Sequence, residues 1–391
     1  MLNPWLESHL FTIPVQRVLI EVDVNRVNET LGALTGIRLP QDVISSTNKF
    51  FGFIALNPVS PELIQIINRI PAVKIVHGDI EKRIVQMPVP GTDWWPTSVS
   101  RLVMEAEDAV RRGFTGEMQK LGVCDTGIDP NHPQLAGAEW YSEISWPFRE
   151  MFDKNGHGSH LCSTAAGALY NSPAGIVVEG VSRARLVSVK CLGRGVGTGF
   201  TSEIVNAIST CWNKGCQIIS MSLGSSDGEP QGGPENDPEW RVIRALTRKG
   251  AIFVIAAGNS GPNPDTIGNP GSCPEAITVA DIDMQGKVAD FSSRGGRKFP
   301  SKPDVAAPGT KISPGTSRIS PMGLQQPQAG LGYVAISGTS MSTPHVSGLI
   351  ALLKHQFPGM TAQQFKEVMA RKGHAHDNET GWGIPTWSMF Q

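Results

Sequence analysis

Leu186-Val187-Ser188-Val189-Lys190-Cys191, then Thr201 to Lys214, then Gln217-Ile218-Ile219-Ser220-Met221 spell out one unit: a short apolar strand, a stretch of helical spacing, and a second short apolar strand. Strands this apolar need cover on both faces, the condition met by a parallel sheet between two helix layers. The unit extends in both directions. Leu121 to Cys124, Ile252 to Ala256 and Ile277 to Ala280 read as further strands, and His157 to Leu169, Pro238 to Lys249 and Ser340 to His355 as further helices. The predicted fold is therefore α/β, a doubly wound and mostly parallel sheet, whose active sites gather at the carboxyl ends of the strands. Arg101 to Arg112 is predicted as one amphipathic helix ended by Gly113, and Thr361 to Arg371 as a helix with Thr361 at its N-cap.

Residues 1–87 form a separate unit. Val15 to Val24, Phe50 to Leu56 and Val73 to Val85 have strand patterns, while Asn25 to Leu34 and Pro61 to Arg69 have helical ones. That order predicts a small α+β ferredoxin-like domain. Residues 88–99 read as a linker, because Pro88, Pro90 and Pro96 forbid a helix or central strand there. Residues 100–391 make the large domain.

Net charge is −1 with 18% charged residues, so no bulk field draws the chain to nucleic acid or an anionic membrane. No apolar run approaches the roughly 20 residues that span a bilayer. Met1 to Pro14 has no basic start and no apolar stretch of leader type, which predicts a cytoplasmic protein. The six cysteines, 124, 162, 191, 211, 216 and 273, lack zinc spacing and are expected as free thiols in a reducing compartment. Cys162, five residues after His157, is expected within reach of thiol reagents near the site.

Four positions carry chemistry. Asp125 ends the strand Leu121 to Cys124. His157 stands between Gly156 and Gly158 at a helix start. Asn259 follows Ala256-Ala257-Gly258 at another strand end. Ser340 opens the helix that begins in Gly338-Thr339-Ser340-Met341-Ser342-Thr343-Pro344-His345, where free N–H groups and the dipole favour negative charge, with Pro344 expected in the first turn. Each alone is a turn former, a satisfied polar group or a cap. Together they supply an orienting acid, a base, an oxyanion donor and a nucleophile, the set that amide hydrolysis needs.

With those residues in place, the large domain resembles the subtilisin-like serine proteases (subtilases). The matches run in family order: Asp125-Thr126-Gly127-Ile128-Asp129, Gly156-His157-Gly158-Ser159-His160, Ser222-Leu223-Gly224, Ala256-Ala257-Gly258-Asn259, Phe291-Ser292-Ser293, Pro303 to Gly309 and Gly338 to His345. The resemblance implies a serine endopeptidase with Ser340 as nucleophile, His157 as base, Asp125 orienting it, and Asn259 with the Ser340 N–H binding the oxyanion. It implies an extended substrate paired with Gly195, Val196, Gly197 and Thr198 on one side and Ser222, Leu223 and Gly224 on the other. The pocket for the residue before the cut is then walled by Ser222 to Gly224 and Ala256, Ala257 and Gly258, with Gly268 as floor, a deep uncharged pocket suited to large uncharged residues. The acidic loop after Gly224 is a competing hint of basic substrates. Residues 1–87 resemble the family's propeptide, an inhibitor and folding chaperone, and Pro88 to Trp95 is expected to be cut in self-processing of a zymogen. Partners are protein or peptide substrates and the chain's own N-terminal domain. No cofactor serves the chemistry. Calcium is admitted only as a structural ion, with Gln134 standing where many family members have a carboxylate ligand and Asn171 resembling a second ligand.

Two other readings are open to these residues. Gly193-Arg194-Gly195-Val196-Gly197-Thr198-Gly199 invites a nucleotide, but the third glycine of Gly-x-Gly-x-x-Gly is missing. A catalytically silent binding scaffold of the same fold finds no support in the four key positions.

Overall fold

The computed structural model describes residues 1–391 apart from 10–15, 38, 40–42, 85–86, 89–93, 146–150, 173–174, 194–195, 227 and 323–331. Four antiparallel strands organise the N-terminal unit: β1 (Gln16–Val22), then α1 (Val27–Gly36), β2 (Ile44–Asn48), β3 (Phe53–Val59), α2 (Pro61–Ile67) and β4 (Val73–Gly78). The sheet order β2-β3-β1-β4 is ferredoxin-like, as expected. Helix α2 starts where it does because the Ser60 hydroxyl accepts from Leu63 N and Pro61 needs no partner for a missing N–H. Strand alternation gives β1 two jobs. Val18, Ile20 and Val22 pack with Leu34, Ile64 and Ile67 of the unit's own helices, while Leu19, with Phe53 and Ala55 of β3, packs into the core of the large domain.

The strand predicted over Val73 to Val85 divides. After β4 the chain turns at Asp79, whose carboxylate accepts from Ser202 N and Ser202 Oγ at 2.7 Å each, and β5 (Glu81–Ile84) then pairs with the large domain instead of its own sheet.

In the large domain β6 (Lys120–Asp125), β7 (Glu139–Ser142), α3 (His157–Ala166), β8 (Arg185–Lys190), α4 (Thr201–Asn213), β9 (Ile218–Met221), α5 (Pro238–Thr247), β10 (Ile252–Ala256), β11 (Ile277–Ile282), β12 (Val305–Pro308), α6 (Thr339–Gln356) and α7 (Ala362–Lys372) follow in order. Seven strands form one sheet, β12-β11-β10-β9-β6-β8-β7, every neighbouring pair parallel. Along β10, Ile252 and Val254 join the layer containing Leu161 of α3, Leu349 of α6 and Met369 of α7; Phe253 and Ile255 join the opposite layer with Ile208 of α4 and Ile243 of α5. The two-sided burial read from the sequence is thus the organising feature.

Two expectations are corrected. The helix over Arg101 to Arg112 is two, Thr97–Val103 and Ala106–Arg111, because Glu105 takes a left-handed conformation (φ 54°) and breaks the hydrogen-bond ladder. The first of these starts inside the expected linker. The linker's ends also pair with the large domain, Met87–Pro88 with Ile336–Ser337 and Trp95–Pro96 with Ile312–Ser313, while 89–93 lie outside the described residues.

Candidate active site

Asp125 closes β6 and His157 opens α3, and the two side chains, both fully buried, meet: His157 Nδ1 donates to Asp125 Oδ1 at 2.7 Å. Their meeting depends on how α3 begins. Asp153, an invisible residue in the motif reading, accepts from Asn155 N (3.1 Å), Gly156 N (2.7 Å), Ser159 N (2.9 Å) and Ser159 Oγ (2.7 Å), and from Thr126 Oγ1 (2.9 Å), which itself receives Gly158 N (2.8 Å). One carboxylate therefore ties the helix start to the residue next to Asp125. Burial pushes its acidity down, raising its pKa, against those donors. Gly158 is required for the same approach, since a Cβ there would stand 2.2 Å from Gly127 O. Asp153→Ala would strand several buried donors at roughly 1–3 kcal/mol each, so a large drop in thermal midpoint is expected, measured by circular dichroism; Asp153→Asn keeps half the acceptors and should recover part of it.

Helix α6 carries Ser340 in its first turn. Pro344 lies further along than expected, inside the helix. Lacking an N–H, it leaves Ser340 O without its i+4 donor, and Ser222 Oγ takes that place at 2.9 Å. In return Ser340 Oγ donates to Ser222 O at 3.2 Å. His157 Nε2 has no hydrogen-bond partner among the described residues. The imidazole is thus held from one side with its other nitrogen open, and the Ser340 hydroxyl rests on a carbonyl; the two are not hydrogen-bonded to each other. Asn259 follows the same logic. Its Oδ1 accepts from Thr339 N (3.1 Å) and Thr339 Oγ1 (3.0 Å), which fixes the amide beside Ser340 and leaves Nδ2 buried with no acceptor. A fixed, desolvated donor with nothing to donate to is what an oxyanion requires. A second buried carboxyl missed by sequence reasoning, Asp281, accepts from Gly338 N (3.2 Å) and Thr310 Oγ1 (2.8 Å) behind this turn.

The other histidines of the motifs are structural. His160 and His345 are fully buried, and burial lowers them to about 3 and about 4, so both stay neutral; His345 Nδ1 donates to Met341 O (2.8 Å) and His160 Nε2 sits on Ile312 O (3.1 Å).

The stretches expected to pair with substrate flank β5. Thr198–Phe200 and Leu223–Gly224 run either side of β5, with Ile84 N donating to Gly197 O at 3.0 Å; Val196 is exposed, and Gly195 lies outside the described residues. Gly268 N donates to Ala257 O (2.8 Å), a Cβ at Gly258 would lie 3.5 Å from Gly268 N, and one at Gly268 would meet Ser225 O at 2.6 Å, so Ala257, Gly258 and Gly268 lie tightly against one another, with Ala256 preceding them. Of the acidic loop, Asp237 is buried and committed to Trp240 N, Gln231 N and Asn269 Nδ2. Next to it Glu239 is fully buried, and burial raises its carboxyl to about 7 despite the Lys82 ammonium.

At the position considered for calcium, the one side chain replacing a carboxylate is engaged within the protein. Gln134 turns Nε2 to Ala168 O (3.1 Å) and Oε1 to Ser163 Oγ (2.9 Å) and Gly315 N (3.0 Å), so its polar atoms are committed, and Asn171 is exposed. Among the described residues no three His, Cys, Asp or Glu side chains cluster as a metal site. All six cysteines are buried and free, and burial pushes the Cys162 thiol far above its ordinary range, so the expected reach of thiol reagents is corrected. No helix among the described residues is long and apolar enough to cross a membrane.

Comparison with known proteins adds four findings. The model of the subtilase family matches residues 116–383. Serine protease AprX of Bacillus subtilis is 34% identical over 284 residues, 68% of this chain and 63% of that protein. An alkaline protease of Alkalihalobacillus alcalophilus is 33% identical over 312 residues, 79% of this chain and 70% of that one. Fervidolysin of Fervidobacterium pennivorans, a keratinolytic enzyme related to subtilisin, superposes with a TM-score of 0.74 at 19% identity over 96% of this chain and 60% of its own, a likeness of fold alone. The chain thus spans less than two thirds of AprX. These relatives correct the cytoplasmic expectation, because they are secreted bacterial proteases and point to secretion. The segment read for a leader is no guide: Pro4–His9 is a helix of the folded N-terminal unit, with Leu6 buried in its core.

Proposed function

Because the chain belongs to the subtilase family, we propose that it is a serine endopeptidase working through Asp125, His157 and Ser340. The observation that carries this is the buried imidazole held at 2.7 Å by Asp125 with Nε2 unpartnered. In the proposed cycle the Ser340 hydroxyl leaves Ser222 O and gives its proton to His157 Nε2 as it attacks the scissile carbonyl. Asp125 keeps Nδ1 protonated and stabilises the imidazolium; Asn259 Nδ2 and Ser340 N receive the oxyanion. His157 then protonates the leaving amine, and water resolves the acyl-enzyme by the same route.

Residues 1–87 act as an inhibitor in this reading. Support comes from β5, which fills the groove between Thr198–Phe200 and Leu223–Gly224 as an antiparallel strand, the pairing a substrate would use. Ile84 lies in the groove and Met87 pairs with Ser337, three residues before Ser340, so self-processing falls among the bonds joining Ile84 to Met87, earlier than the linker position expected from the prolines.

Before the cut the preference is for large uncharged residues. In a peptide panel varying that residue alone, Phe, Leu and Met are expected to exceed Lys and Arg in kcat/KM; exclusive cleavage after Lys or Arg would refute this. The catalytic proposal itself is tested by fluorophosphonate labelling, expected on Ser340 and absent from a silent scaffold.

A further inference from the structure

Strand β5 supplies more than a plug. Its side chains alternate, Glu81 and Arg83 exposed and Lys82 buried, so Lys82 points from the groove into the body of the large domain. There its ammonium stands 3.4 Å from Glu239 Oε2 and 3.4 Å from Asn269 O. Glu239 belongs to the first turn of α5, and its side chain is 1% exposed. Its carboxylate is approached by the Thr201 hydroxyl and the Lys82 ammonium, and among the described residues Lys82 is its one ion-pair partner. The neighbouring Asp237 is fully engaged in capping α5 and holding Asn269, so it does not share this task.

A buried carboxyl whose cationic partner comes from the segment in the substrate groove loses that partner when the segment leaves, and must then take up a proton or stand as a costly unpaired ion; either state is relieved by a new cation at the same place. A substrate strand in the same register restores the partner only if it carries a cation at the same place. From this geometry we propose that Glu239 forms a subsite for a lysine or arginine side chain, at the strand position that Lys82 occupies, two residues before that of Ile84. The inference rests on the peptidase reading and deepens it by naming a substrate class: extended peptides with a basic residue upstream of the cut. It is separate from the pocket immediately before the cut, which keeps its uncharged walls. A cavity of about 120 Å³ adjoins Lys82, lined also by Thr201, Asp237 and Asn269.

The test uses the full chain and synthetic peptides spanning residues 79–90 of its own sequence, so that the register is set by the native segment. Position 82 is kept or changed by Lys82→Arg, Lys82→Leu, Lys82→Ala and Lys82→Glu, and kcat/KM is measured for each. The Lys and Arg peptides are expected to exceed Leu and Ala by about tenfold or more and Glu by about 100-fold, the scale of a desolvated charge pair. In the Glu239→Gln variant the Lys-to-Leu ratio should fall to about one. Cleavage of all five peptides at similar rates, or a ratio unchanged by Glu239→Gln, overturns this subsite and leaves the peptidase reading standing. A chain that cleaves none of them overturns both.

Discussion

Ser340→Ala is expected to cleave no peptide at a measurable rate and to remain full length, while the parent chain is shortened by the loss of its N-terminal domain. The residue has no other catalytic substitute in the site. His157 can accept a proton, and Asn259 can stabilise an oxyanion, but neither is placed to form the acyl bond. The loss in subtilisin, a relative, is about 10⁶-fold in kcat, a scale taken from that enzyme and not inferred from this structure. The fold should be unharmed, since the hydroxyl makes one hydrogen bond, to Ser222 O at 3.2 Å. Intact mass and hydrolysis measured together decide the matter: cleavage by the variant, or identical full-length masses for both chains, contradicts the expectation.

Asn259→Ala should be weaker and of a different kind. The side chain makes its contacts through Oδ1 to Thr339, and in the proposed cycle its Nδ2 meets a charge that exists only while the carbonyl is tetrahedral. Its loss should therefore lower kcat by about 10² to 10³ with little change in KM, again the magnitude known for subtilisin. Asn259→Asp makes a useful comparison, because it keeps the acceptor for Thr339 and removes the donor. If the donor matters, Asp is as poor as Ala; if the Thr339 contacts matter, Asp restores activity.

Much of this was legible in the residues. Strands such as Ile252 to Ala256 announce burial on both faces, and the helices at Pro61, Pro238 and Ala362 start after a capping Ser60, Asp237 and Thr361. The edges of the sheet were not legible. Glu139–Ser142 is half-buried and polar, and Val305–Pro308 ends in a residue that cannot donate to a ladder. Ile44–Asn48 has a single apolar side chain, and only its pairing with β3 makes it a strand. Asp153 looks like one more turn former in Phe-Asp-Lys-Asn-Gly; its role appears only when Thr126 is brought beside it. Glu81-Lys82-Arg83-Ile84 reads as part of the strand Val73 to Val85, and neither its separation from that strand nor the burial of its second residue beside Glu239, more than 150 positions away, is written in the pattern. Long-range pairing of this kind leaves no periodicity behind. Nor does any pattern report that the Ser340 hydroxyl rests on Ser222 O.

The crystal structure of the phosphonylated enzyme tests the central claim most directly, since the adduct mimics the tetrahedral state. The account predicts a phosphonyl group on Ser340 Oγ, one of its oxygens about 2.7–3.1 Å from Asn259 Nδ2 and from Ser340 N, and His157 Nε2 turned to the Ser340 oxygen with Nδ1 still on Asp125. An adduct whose oxygen avoids Asn259, or an imidazole that stays out of reach of Ser340, would contradict it.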